Sequence, residues 1–189
     1  MTLLETDRLL IRNWEDRDGD IAHEINSDDT VMKYFPFRRS RSEANAFLAR
    51  LREGIDREGF GFCALELKAT GEAIGFAGIK RTDIVPTLRS DTMEIGWRLA
   101  TRYWGKGYAT EASREWLRHG FEQLDLDRIA SFAVHDNQRS TAVMERLSMR
   151  RTPEHDFDHA GIPDTHAALR PHVVYLLDRA DWLRDNGRG

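Results

Sequence analysis

Between Glu94 and Ala112 a strand-like stretch, a turn carrying Gly105 and Gly107, and the start of a helix follow one another directly. The first N–H groups of a helix have no acceptor within it and point outward, and the helix dipole adds partial positive charge there. A phosphate or pyrophosphate suits such an end. Gly105 and Gly107 lack Cβ atoms, so the chain can adopt positive φ and approach an anion closely. Ala109 and Ala112 are small enough for the helix to lie near a sheet. The segment is not a Walker loop, since no Gly-Lys-Ser/Thr follows four residues after a first glycine. Nor is it Gly-x-Gly-x-x-Gly, because no glycine completes the pattern in Thr110–Ala112 and no acidic ribose ligand follows a later strand. On spacing alone an ordinary tight turn is an equal reading.

Other groups carry less chemistry. Cys63 is the single cysteine, so it has no partner for an internal disulfide and none at zinc-ligand spacing. It lies in the apolar run Gly61–Leu65, which predicts a buried thiol. His155, Asp156, Asp158, His159, His166 and His172 crowd the stretch 153–172, but their spacings match no zinc signature, and no metal is expected. The segment Pro153–Pro171 is long for a connection in a compact domain, and such connections are more often functional than not. Asp156 and Asp158 beside Phe157 would suit a cationic substrate with an apolar flank.

The elements that must position these groups are legible in outline. Arg8–Trp14 alternates as a strand, and Ile21, Ala22 and Ile25 stand at helical spacing within Glu15–Asn26. Ser40 and Glu43 form a capping box ahead of the stripe Ala44, Phe47, Leu48, Leu51 and Ile55, and Gly59 and Gly61 end that helix. Phe60–Leu67 and Ala73–Ile79 read as a hairpin around a short loop with Gly71. Met93–Ala100 is a strand, residues from about Gly107 to Phe121 a helix, Ile129–Val134 a strand and Asn137–Leu147 a helix. His172–Leu177 is the last strand, ahead of an amphipathic tail with Trp182. This order predicts a mixed α/β, or α+β, domain built on one sheet with helices as cover.

A length of 189 residues with 40% hydrophobic content suits one domain, residues 1–189, with a real core. Net charge is −4, so no extended basic surface for nucleic acid is expected. No signal peptide or membrane-length apolar run is visible, and the expected compartment is the cytoplasm, with a monomer or homodimer as the assembly.

The run Trp104-Gly105-Lys106-Gly107-Tyr108-Ala109-Thr110-Glu111-Ala112 resembles the coenzyme A loop of the RimJ/RimL-type branch of the GNAT superfamily of N-acetyltransferases. The superfamily pattern, Arg/Gln-x-x-Gly-x-Gly/Ala, is matched from Trp104 to Ala109 with Trp in the first place, a replacement usual in this branch. Glu5–Arg12 resembles the branch's first strand, Ala73–Gly78 its third, and His135–Ser140 the junction after its fifth. The resemblance spans nearly the whole chain. It implies a GNAT fold with a mostly antiparallel central sheet splayed at its fourth and fifth strands and helices on both faces. It also implies direct transfer from acetyl-CoA, as co-substrate, to a primary amine on a protein N-terminus or a small molecule. A coenzyme-binding sensor without turnover, or a transferase using another acyl donor, are the rival readings.

Carried over by position, Trp97, Arg98 and Leu99 offer backbone groups to the pantetheine arm, and an N–H near Leu99 meets the oxyanion. Trp104, Gly105, Lys106, Gly107, Tyr108, Ala109 and Thr110 hold the pyrophosphate, and Asn137 contacts the arm near its thioester. Glu94 is the carboxylate expected to relay the amine proton. Many members place a Tyr seven residues after the Asn as thiol acid; here that position is Met144, which cannot donate, and Ser140 is the expected substitute. The family's Gly-Phe after this helix is replaced by Ser148-Met149.

Overall fold

The computed structural model describes residues 2–185. In chain order its elements are β1 (Thr2–Glu5), β2 (Leu9–Arg12), α1 (Gly19–Ser27), α2 (Arg41–Glu58), β3 (Phe62–Leu67), β4 (Ala73–Arg81) and β5 (Met93–Leu99). There follow α3 (Tyr108–Glu122), β6 (Arg128–Val134), α4 (Gln138–Arg146), β7 (Arg150–Arg151), β8 (Phe157–Asp158), β9 (Pro171–Asp178) and α5 (Arg179–Asp185). They form a mixed α/β fold whose strand pairs are mostly antiparallel. The chain gathers into two compact units, one up to Ile79 that also takes in Gly96–Glu115, the other made of Lys80–Ile95 and the described residues from Trp116 onward.

In the first unit the strand order is β1-β2-β3-β4-β5. β2 pairs antiparallel with β3 from Leu9↔Leu67 to Arg12↔Ala64, and β3 with β4 from Phe62↔Gly78 to Leu65↔Gly75. Leu9 and Ile11 are fully buried, as the alternation in the first strand requires. α2 starts where Glu43 N–H donates to Ser40 Oγ (3.4 Å) and Ser40 N–H to the Glu43 carboxylate (2.8 Å). Ala44, Leu48 and Ile55 carry its buried stripe, and Gly59 closes it at φ 77°. Arg12, on β2, is buried with them. Burial alone would lower its pKa, but hydrogen bonds to Asp18 and Glu66 raise it well above the usual range.

In the second unit β6 lies parallel to β5 at Met93↔Ile129 and Glu94↔Ala130 and antiparallel to β9 from Arg128↔Asp178 to Val134↔His172. The β5–β6 register is only two pairs long. At the next position the Ile95 carbonyl accepts from the Ser131 hydroxyl (3.0 Å). Val85, Ala130, Val174 and Leu176 form a core cluster, and Phe121 packs on Trp182 with ring centroids 5.5 Å apart. β7 and β8 both pair with β9, and the long connection at Pro153–Pro171 contributes a two-residue strand and two 3-10 turns. No helix among the described residues is long and apolar enough to cross a membrane.

Candidate active site

In the first unit the turn before α3 has the backbone an anion cradle needs. Gly105 sits at φ 73° and Gly107 at φ 83°, conformations that L side chains rarely adopt. The first intrahelical bond of α3 runs from Glu111 N–H to the Gly107 carbonyl (3.0 Å), so the N–H groups of Tyr108, Ala109 and Thr110 lie ahead of it. Trp104 fixes the turn by donating its indole N–H to the Leu99 carbonyl (2.8 Å). Space above Gly105 is open, with nothing within 4 Å of where a Cβ would stand. These residues fit a pyrophosphate: unsatisfied N–H groups, two glycines, an exposed Lys106 and the positive end of a 15-residue helix.

Sequence reasoning missed the brace beneath this turn. Arg8 donates to the Lys106 carbonyl (3.0 Å) and to Glu111 Oε2 (2.6 Å), and its guanidinium carbon stands 4.5 Å from the Tyr108 ring centroid. Glu111 also accepts from the Thr6 hydroxyl (2.6 Å) and the Arg8 N–H (3.0 Å). Burial would raise the Glu111 pKa, but these donors outweigh it and hold the group below the usual carboxylate range. A carboxylate in the first turn favours the helix dipole but would repel a phosphate; Arg8 offsets that charge. The signal available was Arg8 and Glu111 themselves, both inside the motifs that carry the resemblance.

β5 brings Trp97, Arg98 and Leu99 together on one strand end, as expected, and Gly75 lets β4 lie against it. A Cβ on Gly75, whose φ is 140°, would stand 2.2 Å from the Arg98 carbonyl oxygen. Arg98 was expected to offer backbone groups; its side chain reaches Asn26 Oδ1 at 2.7 Å.

In the second unit Glu94 is 7% exposed. Its Oε1 lies 3.3 Å from Lys80 Nζ, while Oε2 is buried without a hydrogen-bond partner. Burial raises its pKa above the ordinary glutamate value, against the opposing pull of Lys80 and Thr82. A carboxylate held this way takes up a proton more readily than one in water. Asn137 caps α4, its Oδ1 accepting from the Ser140 N–H (3.3 Å). The Ser140 hydroxyl, half-buried, makes no hydrogen bond among the described residues. Met144 is buried and supplies no proton. In the first unit Cys63 is fully buried, and burial pushes its thiol pKa far up, so it is no nucleophile.

In the Pro153–Pro171 segment Asp156, expected to face a cationic substrate, is hydrogen-bonded. Its carboxylate is used within the unit: Oδ2 accepts from Arg151, and Oδ1 accepts the Val174 N–H (3.1 Å). The cation that Asp156 attracts is thus Arg151, five residues before it. Phe157 stacks on His172 with centroids 5.3 Å apart and meets Phe132 edge-on at 5.7 Å, while Asp158 is exposed.

Residues 8–150 match the family model described as an acetyltransferase (GNAT) domain. The uncharacterized N-acetyltransferase YnaD of Bacillus subtilis is 34% identical over 149 residues, 78% of this chain and 82% of its own. The FsC-acetyl coenzyme A-N(2)-transacetylase of Aspergillus fumigatus is 29% identical over 170 residues, 85% of this chain and 69% of its own. An acetyltransferase (GNAT family) structure from Bacillus anthracis superposes with a TM-score of 0.75 at 27% identity, covering 95% of this chain and 99% of its own. With the family model spanning most of its length, this chain belongs to the GNAT acetyltransferase family, in keeping with the RimJ/RimL-type motifs it carries.

Proposed function

We propose that the protein transfers an acetyl group from acetyl-CoA to a primary amine by direct attack in a ternary complex. The observation that carries this reading is the cradle at Trp104–Thr110: two glycines at positive φ, a helix N-terminus and the Arg8 brace, all suited to a coenzyme pyrophosphate. The Aspergillus relative's name, an acetyl coenzyme A-N(2)-transacetylase, supports the same donor and an amine acceptor. Bound acetyl-CoA would supply the activated thioester. The chain's own residues do the rest. Trp97, Arg98 and Leu99 offer backbone groups along the pantetheine arm, and an N–H near Leu99 steadies the oxyanion. Glu94, through its partnerless Oε2, accepts the proton of the attacking amine, directly or through water. As the C–N bond forms and the C–S bond breaks, the uncommitted Ser140 hydroxyl passes its proton to the leaving thiolate and takes one up from water in the same relay. Asn137 contacts the arm near the thioester, and Phe157 and Asp158 contact the acceptor. The proposed setting is the cytoplasm, with no metal in the reaction.

One observation favours a second reading. Met144 occupies the place where many family members keep a proton-donating Tyr, which would suit an acyl-CoA-binding sensor without turnover. CoA release measured over a panel of primary amines separates the two. Amine-dependent release that collapses in Glu94→Gln supports the transferase; coenzyme binding with no release from any amine supports the sensor.

A further inference from the structure

Arg12 shows how this fold ordinarily neutralises a buried guanidinium: its donors meet Asp18 Oδ2 (2.6 Å) and Oδ1 (2.9 Å) and Glu66 Oε2 (2.7 Å). Arg39 and Arg98 are held differently. Nη1 of each donates to one and the same atom, Asn26 Oδ1, both at 2.7 Å. Asn26 is fully buried and neutral, and its Nδ2 is committed to the Ala22 carbonyl (2.7 Å). Neither guanidinium is bonded to a carboxylate of the described residues. Their surroundings are aromatic. The Arg98 guanidinium carbon lies 4.2 Å from the Phe35 ring centroid and 5.4 Å from that of Phe76, and Arg39's lies 4.5 Å from Phe37 and 4.4 Å from Phe47. Phe37, 41% exposed, is the one large apolar side chain left open among the described residues.

Two cations on one neutral oxygen, with little water around them, repel. Burial and then Arg39 push the Arg98 pKa down; burial and then Arg50 do the same to Arg39, with Glu43 opposing. Glu43 is in turn committed to Ser40, whose N–H and hydroxyl both donate to its Oε2 at 2.8 Å. Guanidinium groups stay protonated under such pressure, so the cluster keeps its charge and lacks an anion. Apart from the two bonds to Asn26 Oδ1, the guanidinium donors of Arg39 and Arg98 make no hydrogen bond among the described residues.

We infer that Arg39 and Arg98, tied together by Asn26, form a subsite for a carboxylate carried by the acceptor, so that the amine acetylated belongs to an amino-acid-like molecule. This rests on the acetyl-transfer reading above. A guanidinium fork matches a planar carboxylate two N–H groups at a time. The four phenylalanines suit a weakly hydrated monoanion better than a phosphate dianion, whose desolvation costs more. Exposed Phe37 offers a flank for the acceptor's apolar part.

The test has two arms. The first compares turnover of phenylalanine, phenylalaninamide and phenethylamine, which share an amine and ring but differ in the carboxylate. The wild type should prefer phenylalanine in kcat/KM by about 10- to 100-fold, the worth of a charged hydrogen-bond pair. In Arg39→Gln that ratio should fall to within about twofold of unity, and in Arg39→Lys it should lie between. No preference in the wild type, or a ratio unmoved in Arg39→Gln, overturns the subsite. The second arm needs no turnover: thermal stabilisation by sodium 3-phenylpropionate, a monoanion, against sodium chloride at equal ionic strength, with and without saturating acetyl-CoA. Phenylpropionate should stabilise the wild type and not Arg39→Gln, while the acetyl-CoA shift of the variant confirms that it folds. Stabilisation by phosphate but not phenylpropionate overturns the carboxylate, and a phenylpropionate effect abolished by acetyl-CoA assigns the arginines to the coenzyme instead. If phenylpropionate stabilises and no amine is turned over, the acetyl-transfer reading fails and the carboxylate subsite stands.

Discussion

Gly75→Ala adds one methyl group at φ 140°, and that carbon would stand 2.2 Å from the Arg98 carbonyl oxygen and 2.7 Å from the Leu99 Cα. Both contacts are to backbone, which cannot swing aside as a side chain would. Relief requires β4 and β5 to separate by about 1 Å at this point, given ordinary carbon contacts of roughly 3.5–4 Å. Forced overpacking costs about 1–3 kcal/mol and the unfavourable φ about another 1–3. The variant should therefore lose about 2–6 kcal/mol, or roughly 5–20 °C in Tm for a chain of this size. Gly54→Ala is the matched control. Gly54 lies inside α2 with nothing within 4 Å of its would-be Cβ, so Ala there should stabilise by about 0.4–1 kcal/mol. The assay is urea unfolding of both variants, followed by the KM for acetyl-CoA. The displaced segment is the one proposed to carry the pantetheine arm, so Gly75→Ala should raise that KM while Gly54→Ala leaves it alone. A Gly75→Ala protein as stable as wild type, with an unchanged KM, would refute the argument that the Arg98–Leu99 backbone is held in place by the missing methyl.

Three further outcomes are expected. Gly107→Glu puts a side chain at φ 83° and a negative charge in the cradle, and should abolish the acetyl-CoA thermal shift, worth about 2.7 kcal/mol at 100 times the dissociation constant; a full shift in the variant would move the pyrophosphate elsewhere. Glu94→Gln should lower turnover about 10²–10⁴-fold with coenzyme affinity little changed, and Ser140→Ala should lower it less, both read from CoA release. Because the Glu94 pKa is raised on folding, its contribution to stability is present at low pH and is lost as pH rises through the folded value. Glu94→Gln should thus match wild type in acid and exceed it at neutral pH in chemical unfolding, while wild-type kcat/KM should rise with pH to a limb above the ordinary glutamate range.

Much of the fold was legible because its signals are local. The capping box at Ser40 and Glu43, the hairpin around Gly71 and the turn at Gly105 and Gly107 each sit within a few residues of sequence. β7 and β8, at two residues each, are too short to show a period and exist only through pairing with β9. Arg12 breaks the expected alternation because Asp18 and Glu66 neutralise it inside the unit, a partnership spanning 54 residues to Glu66. The motif pointed to the turn at Gly105 and Gly107 but not to its brace, since Arg8 and Glu111 lie 103 residues apart. The partner of Asp156 was nearer to hand: Arg151 stands five residues earlier and donates to its carboxylate. The Arg39–Asn26–Arg98 cluster was out of reach, because it joins the end of α1, the connection to α2 and β5, and no local pattern marks a cation without a counterion.

The central claim is tested most directly by incubating the protein with acetyl-CoA and a panel of primary amines, and following both CoA release and acetylated amine by mass spectrometry. The account predicts release that depends on the amine, with one acetylated product formed per CoA and both lost in Gly107→Glu. Thermal stabilisation by acetyl-CoA with no amine-dependent release from any member of the panel would contradict it.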